Sequence, residues 1–269
     1  MAIPRGAAIG GAGGVGLLVI VIVAIALGVD PSVILQGGSD APPPGSAPGQ
    51  QAQDPAVPDT VQDFVAAVLG ETEDVWTAVF REAGRTYRPP KLVLFSGVVN
   101  SACGFAQAAI GPFYCPFDQK VYLDYGFFRD LETRFGASGD FAQAYVIAHE
   151  VGHHVQTLLG VTERVQQMRE QSGEAQSNAL SVRFELQADC FAGIWANQAN
   201  RARQILETGD IEEGIAAAEA VGDDRIQQRT RGYVVPDSFT HGSSAQRVSW
   251  FRRGFASGDP SVCNTLNLP

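Results

Sequence analysis

The first apolar pattern in the chain is a run without a charged residue, between Arg5 and Asp30. Residues 15–29 are almost wholly aliphatic, and the uncharged stretch is just long enough to cross a bilayer as a helix. The pattern predicts a transmembrane anchor over residues 15–29, after a short cytoplasmic segment of residues 1–14. A cleavable signal peptide is the alternative, because residues 24–26 have the small-x-small spacing of a cleavage site.

The charges around this run predict where the rest of the chain lies. Positive charge before a membrane span tends to stay in the cytoplasm. Arg5 precedes the run, and acidic residues follow it. We therefore expect a single-pass protein of the cell membrane with an extracytoplasmic domain, or a secreted protein if the N-terminal segment is cleaved.

The next region, residues 30–59, is rich in proline and glycine. From residue 37 to residue 58 it reads GGSDAPPPGSAPGQQAQDPAVP, which holds six of the 15 prolines and offers nothing apolar to bury. This composition is typical of an extended linker. None of the 24 aromatic residues precedes Phe64. Because a packed core normally contains aromatic side chains, the sequence predicts one folded domain over residues 60–269.

Within that domain, apolar positions recur mostly with helical spacing. Two β-rich runs, Lys91–Phe95 and Lys120–Asp124, predict strands. Helices are predicted to open near Thr60 and again at Thr72, with Gly84 ending the second. Further helices are predicted from Asp140 as N-cap to Gly160 as the C′ residue, and over residues 161–171, 177–199, 210–221 and 245–254. The fold class is α+β, mainly helical with a small sheet.

Composition and charge narrow the function classes. The chain has 19 Lys and Arg against 29 Asp and Glu, a formal net charge of −10. This balance argues against a nucleic-acid partner, which needs a basic surface. The content of 45% hydrophobic and 18% charged residues is typical of a globular protein.

Four cysteines suit an exported domain: Cys103, Cys115, Cys190 and Cys263. An even number predicts two disulfides, although four cysteines allow three pairings. The short-loop choice is Cys103–Cys115, which leaves Cys190–Cys263. Zinc binding by these cysteines is the alternative, but the sequence contains no CxxC pair to hold a metal.

The strongest chemical pattern is HEVGH at residues 149–153. His149 and His153 lie four residues apart on a predicted helix, so both imidazoles face the same side and can reach one metal ion. Glu150 is rotated away from the ligand direction and can face a water molecule bound to that metal. The pattern predicts a metal centre with Glu150 as general base.

A second acidic pair completes this centre. A catalytic zinc needs three protein ligands and one open position. Glu185 lies 32 residues after His153 on its own predicted helix and is the candidate third ligand. Asp189, one turn later, can accept the outer N–H of a ligand histidine. A solvated acidic face is the alternative, but apolar residues surround both positions.

Three longer stretches resemble the neutral zinc metallopeptidase family of bacteria, the YpfJ-like proteins: GDFAQAYVIAHEVGHHVQTLLGV, ELQADCFAGIWA and SFTHGSSAQRVSWFRRGFASGD. SACGFAQAAIGPFYCPFDQKVYLD extends the likeness to most of residues 60–269. HExxH followed by ExxxD on a later helix is similar to the gluzincin metallopeptidases, such as thermolysin. The resemblance implies a zincin-like fold, a bacterial membrane setting and Zn2+ as cofactor. It implies little about the substrate, which we expect to be a peptide or protein.

The other two histidines are expected to differ in role. His154 lies about 100° from the ligand face of its helix and is expected to be structural. His241, followed by Arg247, resembles the His…Arg element of HtpX-like membrane metallopeptidases and is a candidate second catalytic residue. Arg247 is expected to pair with a carboxylate on a zinc-bearing helix. A tyrosine such as Tyr233 is the alternative donor to the oxyanion.

The acidic pair Asp223-Asp224 is expected to belong to a helix-capping turn after Gly222, with a calcium site as the alternative. An extended substrate can pair with the strand Lys120–Asp124 or with residues 111–114.

The favoured function is zinc-dependent peptide-bond hydrolysis by a zinc-activated water, with Glu150 taking the proton. One alternative is a catalytically silent zincin-fold protein that serves as a binding or assembly factor of the cell envelope, although such a protein would not need Glu150. The other is a structural zinc site, which would require four protein ligands.

Overall fold

The structure is a computed structural model that describes residues 58–107 and 111–267. The predicted cytoplasmic segment, the anchor and most of the linker lie outside these residues. Within them the fold is mainly helical α+β, with eight α-helices and five β-strands. No helix in this part of the chain combines the length and apolar character that a bilayer span requires.

In the described part of the chain, all five strands lie between the first and the second α-helix. The helices are α1 (Asp59–Glu82), α2 (Gly126–Thr133), α3 (Asp140–Leu158), α4 (Val161–Glu170), α5 (Glu174–Arg203), α6 (Asp210–Ala220), α7 (Asp223–Arg231) and α8 (Ser244–Ser257). The strands are β1 (Lys91–Phe95), β2 (Val98–Ser101), β3 (Gly104–Gln107), β4 (Phe113–Cys115) and β5 (Lys120–Asp124).

The two predicted strands are confirmed as β1 and β5, with the predicted bounds. They pair in parallel, and β4 pairs antiparallel with the other edge of β5, so the strand order is β1-β5-β4. Strands β2 and β3 form a separate antiparallel hairpin. These two and β4 were missed, because each has only three or four residues and no sustained apolar alternation.

The prediction of two helices between residues 60 and 84 is wrong, because α1 is continuous. Thr72 does not open a helix. It is buried, and its hydroxyl donates to the carbonyl of Leu69 at 2.7 Å. A threonine that bonds back to the preceding turn fits inside a helix, although the same side chain is a common N-cap.

The helix that carries HEVGH begins one residue earlier than predicted, because its N-cap is Gly139 and not Asp140. Gly139 occupies the N-cap position at φ 106°, and Asp140 is the first helical residue. The Phe141 N–H donates to Glu213 of α6 at 3.2 Å, so a side chain from a distant helix satisfies this end of α3. Gly160 follows the helix in the left-handed region at φ 76°, as predicted for a C′ residue.

Helices α3, α5 and α8 approach each other closely where their contacts contain glycine. A Cβ on Gly152 of α3 would lie 3.1 Å from the backbone oxygen of Ala188 in α5. A Cβ on Gly254 of α8 would lie 2.0 Å from the backbone oxygen of Cys190. The glycines therefore allow α5 to pack between the other two helices, and Trp195 of α5 stacks on Phe141 in the core beneath them.

Both disulfides follow the short-loop pairing. Cys103 bonds to Cys115 across 12 residues and ties the tip of the β2–β3 hairpin to β4. Cys190 bonds to Cys263 across 73 residues and ties the C-terminal segment to α5. These two bonds use all four cysteines of the protein.

Paired alanine substitutions are expected to separate the contributions of the two bridges. Removing Cys190–Cys263 should lower the free energy of unfolding by about 4 kcal/mol, and removing Cys103–Cys115 by about 3 kcal/mol, because the longer loop restricts the unfolded chain more. Denaturant titration of both variants measures this difference. An equal or larger loss for the short loop would contradict the order, and free thiols in unreduced, denatured protein would contradict the bridges themselves.

Candidate metal centre

The structure brings His149, His153 and Glu185 together between α3 and α5. The Glu185 Oε2 atom lies 3.2 Å from His149 Nε2 and 3.5 Å from His153 Nε2. Their potential ligand atoms all lie within 4.8 Å of one another. The i, i+4 spacing on α3 places the two rings one turn apart, and the packing of α5 against α3 brings the carboxylate between them.

Both histidines of this cluster have their Nδ1 atoms engaged elsewhere. His149 Nδ1 lies 2.8 Å from Asp189 Oδ1, and His153 Nδ1 lies 2.8 Å from Gln156 Oε1. With an oxygen acceptor at each Nδ1, the neutral form of each ring carries its proton on Nδ1 and its lone pair on Nε2, on the side of Glu185. Two imidazole nitrogens and one carboxylate oxygen are a donor set that catalytic zinc uses, so these residues fit the metal.

Asp189 lies behind His149 at the centre of a buried polar network. Its Oδ2 accepts from Arg247 Nε at 2.9 Å, and its Oδ1 accepts from Arg247 Nη2 at 2.8 Å. The Tyr145 hydroxyl also donates to Oδ1. Arg247 therefore pairs with a carboxylate on the helix of Glu185, and the network joins α3, α5 and α8.

Electrostatics in the cluster favour positive charge. Burial lowers the pKa of His149, but Asp189 and Glu185 outweigh this effect and raise it to about 9. Burial raises the pKa of Glu185, yet His153 and His149 hold it well below its usual range. The pKa of Asp189 is also held below its usual range, by Arg247 and His149 against the effect of burial. Two buried carboxylates thus stay ionised beside the position of a cation.

Glu150 is 8% exposed beside this cluster. Burial raises its pKa above the ordinary value, although the neighbouring histidines act in the opposite direction. Among the residues that the structure describes, none donates a hydrogen bond to its carboxylate. A carboxylate that is buried, raised in pKa and not engaged by protein donors is suited to accept a proton from water.

His241 lies on the segment between α7 and α8, and Asp223 holds that segment. The Asp223 Oδ2 atom accepts from the backbone N–H groups of residues 240, 241 and 242 at 2.7, 2.7 and 3.0 Å. Its Oδ1 atom lies 3.3 Å from His241 Nδ1. Burial lowers the pKa of His241, but Asp223 and, more weakly, Glu185 raise it above the ordinary value.

The acidic pair at the start of α7 serves the same segment. Asp224 Oδ1 accepts from the Ser244 N–H at 2.7 Å and from its hydroxyl at 2.8 Å. A Cβ on Gly242, at φ 95°, would lie 3.2 Å from a side-chain atom of Val182 on α5. The segment around His241 therefore lies against α5, less than one turn of helix from Glu185.

His154 and Tyr233 occupy other positions. His154 is fully buried, with Nε2 2.6 Å from the Arg88 carbonyl and Nδ1 3.0 Å from the Tyr114 hydroxyl. Burial lowers its pKa. Its contacts tie α3 to β4 and to the segment before β1. Tyr233 is 60% exposed on the loop after α7.

Sequence reasoning missed three residues of this region: Tyr145, Gln156 and Asp223 in its role toward His241. Helical spacing contained a signal for the first two, because Tyr145 precedes His149 by four residues and Gln156 follows His153 by three. Nothing local indicates that Asp223 meets a segment 17 to 19 residues away.

Comparisons with known proteins show which family the chain is similar to. The sequence profile of the family described as "Putative neutral zinc metallopeptidase" matches residues 3–266. The chain is 50% identical over 258 residues to the protein YpfJ of Escherichia coli K12, covering 95% of this chain and 87% of that protein. It is 44% identical over 254 residues to the protein Rv2575 of Mycobacterium tuberculosis H37Rv, covering 91% and 85%.

No solved structure gives a significant match to the chain. The family match nevertheless spans almost every residue and contains the whole cluster of His149, His153 and Glu185. The chain belongs to the neutral zinc metallopeptidase family.

Proposed function

We propose that the chain is a zinc-dependent endopeptidase with a zincin-like fold. The observation that carries the proposal is the buried cluster of His149, His153 and Glu185, with both histidine Nδ1 atoms engaged and the ligand atoms within 4.8 Å. These three residues would hold the metal. When bound, zinc polarises the scissile carbonyl group and lowers the pKa of a coordinated water molecule toward about 7.

Glu150 acts as general base in this proposal. Its carboxylate accepts a proton from the attacking water and later delivers that proton to the leaving amine. Burial and the resulting rise in pKa support this role, because a base whose pKa lies closer to neutrality can both take and return a proton.

His241 donates to the oxyanion that develops on the substrate carbonyl. Asp223 engages the Nδ1 side of the ring and leaves Nε2 for the substrate. The raised pKa of His241 favours the protonated ring, which is the stronger donor.

An extended substrate pairs with β4 in this proposal. The alternative from the sequence, β5, is wrong because β1 and β4 occupy both of its edges. Strand β4 overlaps the other predicted segment, contacts α3, and has one paired edge among the described strands. Its other edge can add a peptide as a further strand.

The rival functions have less support. A structural zinc site needs a fourth protein ligand, whereas the cluster of His149, His153 and Glu185 offers three ligand side chains. A catalytically silent binding factor has no need of a buried Glu150. The proposal also includes an extracytoplasmic location, tethered by residues 15–29 or secreted, and the two disulfides support it because such bonds persist in oxidising compartments.

Glu150→Gln is expected to keep the fold and the zinc content and to abolish hydrolysis, because the amide preserves shape but removes the base. Metal analysis with a general protease assay measures both properties. Comparing envelope proteins in cells with wild-type or variant chains would also identify substrates. Loss of zinc together with activity would contradict the assignment of Glu150 as a base that does not bind the metal.

Asp189→Ala is expected to weaken zinc binding by roughly 10–100-fold, because His149 loses the acceptor that orients it. It should also destabilise the fold by about 3–5 kcal/mol, because Arg247 is left buried without its partner. Chelator competition and denaturant titration measure the two effects.

The matched control is the double variant Asp189→Ala/Arg247→Leu, which removes both charges. It should regain most of the lost stability and still bind zinc weakly. Wild-type zinc affinity in this double variant would reduce Asp189 to a helix-packing role.

His241→Ala is expected to lower kcat by about two orders of magnitude and leave zinc content unchanged, because it removes one oxyanion donor. Tyr233→Phe is the matched control and should keep near-normal kcat. A near-normal kcat in His241→Ala together with a strongly lowered kcat in Tyr233→Phe would assign the oxyanion donor to Tyr233.

A further inference from the structure

A chain of hydrogen bonds runs from His153 to the C-terminal segment of the protein. Gln156 Oε1 contacts His153 Nδ1 at 2.8 Å, and Gln156 Nε2 donates to the Phe184 carbonyl at 2.7 Å and to Gln187 Oε1 at 3.0 Å. Gln187 Nε2 donates to the Cys263 carbonyl at 2.9 Å. Both glutamines are buried, and Gln156 is completely so.

The two backbone carbonyls fix the direction of every bond in this chain. A carbonyl oxygen can only accept, so Gln187 must place its amide nitrogen toward Cys263 and its oxygen toward Gln156. Gln156 must then place its nitrogen toward Gln187 and Phe184, and its oxygen toward His153. Because that oxygen can only accept, His153 carries its proton on Nδ1 and keeps the Nε2 lone pair for a metal.

The C-terminal segment, at which these hydrogen bonds end, is held on α5. Cys263 is joined to Cys190 of α5 by the disulfide. The Thr265 hydroxyl donates to the Arg183 carbonyl of the same helix, and Leu266 is buried against Leu180. The Cys263 carbonyl is therefore a fixed acceptor.

The other side of the His153 ring is also defined. The ring of Phe184 stacks on it with centroids 5.0 Å apart, and the carbonyl of the same Phe184 holds Gln156. One residue of α5 thus sets the plane of the imidazole and the direction of the amide that contacts it.

We propose that Gln156 is the positioning residue for His153, and that the disulfide-held C-terminal segment positions Gln156 through Gln187. The inference rests on the proposed zinc site, since it concerns how His153 presents Nε2. His149 is oriented by an ionised network, whereas His153 is oriented by neutral amides. The C-terminal segment around Cys263 therefore contributes to metal binding without contacting the metal.

The tautomer of His153 in the metal-free wild-type protein is the first test. Proton–nitrogen correlation spectra of the imidazole rings, recorded above the pH range in which histidine titrates, should show the Nδ1–H form for His153. An Nε2–H form would overturn the inference. This measurement requires neither zinc nor catalytic activity, and it needs no variant that might misfold.

Zinc affinity of leucine variants, measured by chelator competition, is the second test. Gln156→Leu is expected to bind zinc roughly 10–100-fold more weakly than wild type. Gln187→Leu should lose less, because the Phe184 carbonyl still holds Gln156. Gln198→Leu is the matched control: Gln198 also lies on α5 and donates to a backbone carbonyl near the C-terminus, that of Gly258 at 2.7 Å, but it is not connected to His153.

The double variant Gln156→Leu/Gln187→Leu separates positioning from general packing. It should bind zinc no more weakly than Gln156→Leu alone, because Gln187 acts through Gln156. Additive losses, or equal losses in Gln198→Leu and Gln156→Leu, would overturn the inference. A wild-type chain that binds no zinc would contradict the proposed function instead, and the tautomer of His153 would still decide the inference.

Discussion

The buried carboxylate of Asp189 connects the three helices that build the site. A charge with no exposure to solvent is strongly unfavourable unless it is paired and hydrogen-bonded. Asp189 meets this requirement with Arg247 from α8 and with Tyr145 and His149 from α3. The carboxylate on α5 is satisfied by groups from both α3 and α8, so its hydrogen bonds favour the arrangement in which these three helices pack together. That arrangement also brings Glu185 to the two histidines.

The two histidines of the cluster are held by different physical means. His149 contacts an ionised side chain whose charge Arg247 balances, whereas His153 contacts an uncharged amide. A carboxylate makes an imidazole more basic and an amide does so much less, so the two nitrogen donors differ in strength. The negative charge close to the cluster is therefore smaller than it would be if carboxylates oriented both histidines. This difference matters because Glu185 and Glu150 are already buried beside the same histidines.

Periodic segments of the sequence allowed good predictions, and contacts between distant segments did not. The i, i+4 spacing of His149 and His153 and the position of Glu185 on a later helix gave the metal cluster, because helix geometry fixes which side chains share a face. Strands β1 and β5 followed from their apolar runs. The short strands β2, β3 and β4 did not, because pairing and the Cys103–Cys115 bridge stabilise them more than their own composition does. No local pattern encodes the tertiary contact of Glu213 with the N-terminus of α3 or that of Asp223 with the segment of His241.

The glycine within HEVGH determines how far apart the two ligand-bearing backbones stand. Gly152 faces Ala188, which directly precedes Asp189 and lies three residues after Glu185. A methyl group at position 152 would require α5 to move by a few tenths of an ångström. Because position 152 carries no Cβ, the backbones of α3 and α5 come close enough for Glu185 Oε2 to lie 3.2 Å from His149 Nε2.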